Sequence, residues 1–128
     1  MSSKNTVKPT ESELEILQIL WEKGACTVRE VHEILTKNKE AGYTTTLKLM
    51  QIMHEKNLVQ RDTTTKTHVY KALASQQKTQ QQLLSKLINN AFSGSAASLV
   101  MQALGNHKSS QDEIEAIKKY LDELSKKQ

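Results

Sequence analysis

A single cysteine, Cys26, stands among the 128 residues, so no internal disulfide can form. That fits a reducing, cytoplasmic setting. No apolar run approaches the roughly 18 residues that a membrane span needs. The opening MSSKNTVKPT lacks the apolar core of a secretory signal, and nothing suggests direct membrane association. There is no Gly-rich phosphate loop, no Cys-x-x-Cys pair and no internal repeat. His32, His54, His68 and His107 are spread without metal-ligand spacing, which argues against a zinc site. His32 sits among apolar neighbours, as a core or edge residue would. No serine has a context for nucleophilic catalysis, and the acidic residues fall on solvated helical faces. The sequence therefore offers no catalytic residue, no cofactor site and no metal site. Hydrophobic residues make up only 37%, little for a monomeric globule. Part of the apolar surface is expected to be completed by a second copy of the chain.

What is present is unevenly charged. The formal charge is +4, but between Thr10 and Thr36 six glutamates face Lys23 and Arg29, a net −4. Between Lys37 and Lys71 six lysines and Arg61 face Glu40, Glu55 and Asp62, a net +4. A cationic stretch of this kind suits a polyanion. An ordinary solvated face would carry the same charge, so charge alone leaves both readings open.

Residues Met1 to Pro9 read as a loose polar arm. Thr10-Glu11-Ser12-Glu13 has the Thr-x-x-Glu form of a capping box and opens a helix with Leu14, Ile16, Leu17, Leu20 and Trp21 on one wide apolar face. That helix stops near Gly24. Thr27-Val28-Arg29-Glu30 is a second capping box, and it turns Val28, Val31, Ile34 and Leu35 inward. After the polar turn Thr36–Gly42 a third helix runs from Thr44 to Lys56. At 100° per residue Thr44, Lys48, Gln51 and Glu55 share one face, with Thr45 on its flank, while Thr46, Leu49, Met50 and Met53 lie opposite. Asn57 tolerates the left-handed conformation that often ends a helix. The runs Leu58–Asp62 and Thr67–Ala72, around Thr63-Thr64-Thr65-Lys66, form a β-hairpin, because Thr63–Thr67 is a poor helix former.

Three helices followed by a hairpin match a winged helix-turn-helix, in which the third helix enters the major groove. The mainly α fold is expected to hold a winged-helix DNA-binding domain over 7–74 and a helical dimerisation region over 75–126. In the second part Leu83, Leu84, Leu87, Ile88 and Phe92 recur at helical spacing, and Ser93-Gly94-Ser95 breaks the pattern. Ala97, Val100, Met101 and Leu104 form a shorter stripe closed by Gly105. Ser110-x-x-Glu113 caps a last helix bearing Ile114, Ile117, Leu121 and Leu124. Three such helices have little core of their own. They could pack back on the first domain, but a DNA reader of this size commonly uses two half-sites, which favours a homodimer. Its seam would be Leu84, Leu87, Ile88, Val100, Leu104, Ile117, Leu121 and Leu124.

Tyr43-Thr44-Thr45, followed by Leu49-Met50 and Met53, together with His68-Val69-Tyr70, resembles the penicillinase-repressor family of BlaI, MecI and CopY type. Thr10-Glu11-x-Glu13-Leu14-x-Ile16-Leu17-x-Ile19-Leu20-Trp21 is similar to that family's first helix. The likeness runs from about Val7 to Leu124. It implies a dimeric repressor whose winged helix binds a palindromic operator, relieved in resistance systems by a membrane sensor-protease pathway that leads to cleavage in the dimerisation region. The staphylococcal cleavage bond is Asn-Phe, and its position falls near Met101, Gln102 and Ala103. An arginine common in the family is Ile52 here, and the helix-ending glycine is Asn57. The copper branch's cysteine-rich tail is absent.

For base reading the candidates are Thr44, Thr45 and Lys48, whose hydroxyls and ammonium reach base edges. Tyr43 either sets its hydroxyl on a phosphate or packs on the second helix. The wing at 62–67 offers Thr63, Thr64, Thr65 and Lys66 to a phosphate strand, with Arg61 and Lys71 at its base. Two function classes remain open. One is a repressor binding double-stranded operator DNA; the other is a winged-helix module whose exposed third-helix face binds a protein.

Overall fold

The computed structural model describes residues 8–128. The polar arm expected at Met1–Pro9, and the Val7 start of the first domain, therefore lie largely outside the described residues. Both capping boxes form. Thr10 Oγ1 accepts from the Glu13 amide at 3.2 Å, and Glu13 Oε1 accepts from the Thr10 amide at 2.9 Å, opening α1 (Glu11–Lys23). Thr27 and Glu30 repeat the exchange at 3.1 and 2.8 Å and open α2 (Val28–Leu35). Each box satisfies two amides that a helix start leaves without partners. Gly24, at φ 85°, ends α1, in a backbone region that glycine enters without steric cost.

The third helix, α3, spans Tyr43–Glu55, starting and ending one residue earlier than its periodicity suggests. Its end is a full Schellman turn. Asn57 takes φ 64°, the Leu58 amide donates to Met53 O at 2.9 Å, and the Asn57 amide donates to His54 O at 3.1 Å. Leu58 and Met53 are both buried, the apolar contact that accompanies this cap. Leu58 is thereby taken up by the helix cap and does not start the hairpin.

The hairpin strands are β2 (Val59–Asp62) and β3 (Val69–Ala72), shorter than the sequence runs. Asp62 turns its carboxylate back on Thr64 and Thr65 bonds the Thr67 carbonyl, so Thr67 and His68 belong to the loop. A two-residue strand, β1 (Cys26–Thr27), pairs antiparallel with β3 to give the order β1-β3-β2, with Cys26 opposite Tyr70 and Tyr70 opposite Arg61. Two residues are too few to give an alternating signal, which is why β1 is invisible in the sequence. The core joins Ile16, Leu17 and Leu20 of α1, Val31 of α2, Met50 and Met53 of α3, and Val59 and Tyr70 of the sheet. Cys26 is buried within it, and burial pushes its thiol pKa up, which makes it a poor nucleophile.

The chain divides into two compact units, up to Leu83 and from Leu84 onward, the division falling inside α4 (Gln76–Ala91). Ser93 at φ 51° and Gly94 at φ 82° make the break before α5 (Ala96–Asn106). Gly105 lies within α5 and does not close it, because glycine weakens a helix without forbidding it. The third capping box, Ser110 with Glu113, opens α6 (Gln111–Lys126). No residue of α5 or α6 is buried.

In the first unit long-range hydrogen bonds tie the helices to distant chain. Trp21 Nε1 donates to Ala74 O at 2.9 Å, fixing the segment after β3 against α1. Lys56 Nζ donates to both carboxylate oxygens of Glu13, at 2.8 and 2.9 Å. Glu13 is only 2% exposed. Burial opposes its charged form, but the Lys56 and Thr10 hydrogen bonds together outweigh that and hold its pKa below the ordinary value. A depressed carboxylate contributes stability above its unfolded pKa and loses it as pH falls through the folded one. Urea unfolding midpoints should therefore drop on the acid side of about pH 4.3, with a shallower drop in Glu13→Gln. Lys56→Met should destabilise by about 2 kcal/mol at neutral pH, since it strands a buried carboxylate. A Lys56→Met midpoint equal to that of the wild type would remove this pair from the account.

Candidate nucleic-acid interface

Helix α3 divides along its length. Thr46, Met50 and Met53, spaced at i, i+4 and i+7, are buried, and Tyr43, Thr44, Thr45, Lys48, Gln51 and Glu55 are exposed. The buried side is held by the core, so the exposed side is presented at a fixed angle. Ile52 is half-buried on the flank. The helix starts at Gly42, and no side chain caps it. Its positive end therefore stays open, a favourable place for an anion.

Tyr43 makes two contacts with α2. Arg29 Cζ lies 5.6 Å from its ring centroid, and the His32 ring meets it edge-to-face at 5.4 Å and 83°. Tyr43 thus packs on α2, yet it remains 41% exposed. Arg29 and His32 are three residues apart on α2 and so share a face. Sequence spacing gives no hint that Arg29 lies over Tyr43, because nothing local joins positions 29 and 43.

In the wing, the Thr64 and Thr65 hydroxyls are already engaged. Thr64 donates its amide at 2.9 Å and its hydroxyl at 2.8 Å to Asp62 Oδ1, and Thr65 Oγ1 donates to Thr67 O at 2.7 Å. The Thr64 amide, then its hydroxyl, hold the Asp62 carboxyl below its usual range. These bonds shape the loop, which carries Thr63 and Lys66 exposed. Strand alternation separates the two basic residues of the hairpin base. Arg61, opposite buried Tyr70, is on the inner face, and Lys71, opposite Gln60, is exposed on the outer one. Arg61 Nε is buried without a hydrogen-bond partner, although its residue is only half-buried.

An open groove of about 430 Å3 runs between α2, α3 and the wing. Arg29, Tyr43, Gln51, Arg61, Lys66 and His68 line it. Among the described residues neither Lys48, Lys66 nor Arg29 forms an ion pair, whereas Lys39 of the preceding turn is tied to Glu15 at 2.9 Å. The geometry thus brings together Tyr43, Arg61 and Lys66 around one groove, adds Arg29, Gln51 and His68, and leaves Lys71 apart. Among the described residues no three His, Cys, Asp or Glu side chains are grouped to hold a metal ion.

A family model described as penicillinase repressor matches residues 9–123. The penicillinase repressor of Staphylococcus aureus is 22% identical over 121 residues, covering 94% of this chain and 96% of its own. The methicillin resistance regulatory protein MecI of Staphylococcus aureus strain N315 is 24% identical over 116 residues, covering 91% and 94%. A solved structure of a mutant ZitR from Lactococcus lactis is similar over 99% of this chain and 80% of its own, with 20% identity and a TM-score of 0.48.

The wing geometry has a direct consequence. Asp62→Ala should free the Thr64 amide, which hydrogen exchange would register as a local rise in rate. The global unfolding midpoint should stay unchanged, because the side chain is exposed and its hydrogen bonds go to Thr64 of the loop. Unaltered exchange at Thr64 would mean that the turn is held by something else.

Proposed function

The chain belongs to the penicillinase repressor family, whose members are transcriptional repressors and not enzymes, and we propose that it represses transcription as a homodimer bound to a palindromic operator in double-stranded DNA. The observation that carries this reading is the split of α3. One side is locked into the core, and the other offers Thr44, Thr45, Lys48 and Gln51 beside a wing bearing Lys66. In this reading the exposed face of α3 enters the major groove, Thr44 and Thr45 approach base edges or a thymine methyl, and Lys48 reaches a guanine acceptor. Phosphates are met by Tyr43, Arg61, Thr63 and Lys66 around the groove, with Thr64 and Thr65 shaping the wing. Lys71, on the outer face of the hairpin, is assigned to a more distant phosphate.

The second unit supports dimerisation by its exposure. Leu84, Leu87, Val100, Met101, Leu104, Tyr120, Leu121 and Leu124 are all exposed. So much open aliphatic surface on three amphipathic helices favours a partner surface. A second copy supplies it, and the resulting two-fold axis matches two half-sites one or two helical turns apart. Ile88 and Ile117, half-buried beside the exposed positions, complete the seam. Release would follow an upstream signal, with cleavage by a sensor-linked protease near Met101, Gln102 and Ala103 as the route suggested by the family. Those residues lie inside α5, and Met101 is 72% exposed. A protease would have to unwind the helix there.

Binding to the DNA upstream of the chain's own and neighbouring genes, with footprinting, tests the whole reading. Log affinity should fall with log salt at about −0.9 per phosphate neutralised. A flat salt response would favour the protein-binding module instead. Lys48→Ala should cost about 1–3 kcal/mol on the operator and relax discrimination, while Lys66→Ala should weaken all duplexes evenly and lower the salt slope by about one. Equal, uniform losses for both would contradict the assigned roles. Leu121→Asp should halve the sedimenting mass, and an unchanged mass would locate the interface elsewhere.

A further inference from the structure

One residue of α2 touches both the first exposed side chain of α3 and its first buried one. His32 Nδ1 lies 2.9 Å from Thr46 Oγ1, and the His32 ring stands edge-on to Tyr43 with centroids 5.4 Å apart. Thr46 is 1% exposed, and a hydroxyl so buried requires a partner. Among the described residues its only other partner is Gly42 O at 3.4 Å, long for a hydroxyl donor. His32 is therefore the main bond of that hydroxyl. The pairing holds in either tautomer of the ring. A bare Nδ1 accepts the hydroxyl proton; a protonated Nδ1 donates to the oxygen, whose own proton then turns to Gly42 O.

Thr46 and Tyr43 are one helical turn apart. Gripping both from a single side chain fixes the rotation of α3 about its axis and its position along α2. Thr44, Thr45 and Lys48 follow at 100° per residue from that reference. A small rotation there would move their tips off any base edge, while the core contacts of Met50 and Met53, further along, would hardly change.

We propose that His32 is a positioning residue for the DNA-reading face of α3, acting through Thr46 and Tyr43 and touching no DNA itself. The proposal rests on the reading of α3 as the recognition helix, and its test separates the two. Three variants of the full chain divide the contact. His32→Ala removes it, His32→Asn keeps a donor and acceptor near Thr46 without the ring, and His32→Phe keeps the ring without the hydrogen bond. The first readout is amide hydrogen exchange at Thr46 and Leu47 relative to Met53, which needs no DNA. The second is the ratio of affinities for a duplex selected by the wild-type chain from a random-sequence library and for an unselected duplex.

His32→Ala should speed exchange at Thr46 and Leu47 but not at Met53. It should lower the affinity ratio by about tenfold, the combined worth of one hydrogen bond and one aromatic pair. His32→Asn and His32→Phe should each recover part of that ratio. Unchanged exchange in His32→Ala, or an equal rise through Met53, overturns the positioning role whatever DNA does. Faster exchange with an unchanged ratio overturns its link to reading. A wild-type chain that selects no sequence overturns the DNA reading, and this role with it, while the exchange result still reports on the His32–Thr46 contact.

Discussion

A carboxylate as deeply buried as Glu13 must be answered by a cation, and in this fold the answer comes from Lys56, forty-three residues away. The pair joins two helix ends of opposite polarity. Glu13 sits in the first turn of α1, at its positive end, and Lys56 is the C-cap of α3, at its negative end. Both charges are therefore favoured by their own helices before they meet. The same carboxylate caps the Thr10 amide, so one side chain starts α1 and anchors the end of α3. Everything that α3 presents to solvent depends on that anchorage and on the Schellman turn just beyond it.

If Lys56 holds the far end of α3, α2 holds the near end. Arg29 and His32 close on Tyr43, and His32 reaches Thr46. Between these two fastenings the helix contributes Met50 and Met53 to the core that also holds Ile16, Leu17 and Tyr70. A surface of short hydroxyls has little reach to spare, because threonine cannot adjust its length as arginine can. Rigid mounting is the physical counterpart of a face light in long side chains. The hairpin adds a second element with its own internal ties, and strand alternation decides that Arg61 faces α3 while Lys71 does not.

Much of this was legible locally. The three capping boxes stand at Thr10, Thr27 and Ser110 as their Thr/Ser-x-x-Glu spacing requires. Asn57 takes the left-handed conformation that its residue type tolerates, and α3 buries the stripe that its periodicity marks. The hairpin was legible as a pair of β-branched runs, though not its limits, because Asp62 and Thr65 spend their hydrogen bonds on the loop. Glu13 was visible as a capping residue but not as half of an ion pair. Arg29 and His68 could not be assigned to the groove beside Tyr43, since they come from α2 and the wing loop, which share no spacing with α3.

What the sequence determined by itself are the features that act within one or two turns of chain: helix starts, helix ends, and which stripe of each helix is apolar. Capping bonds span three residues and helical faces repeat every three or four, so a linear reading captures them. What only the tertiary structure decided are the pairings across fourteen, forty-three and fifty-three residues, His32 with Thr46, Lys56 with Glu13, and Trp21 with Ala74. These depend on how the packed core brings the elements together, and no local pattern encodes the partner of a lysine or a histidine.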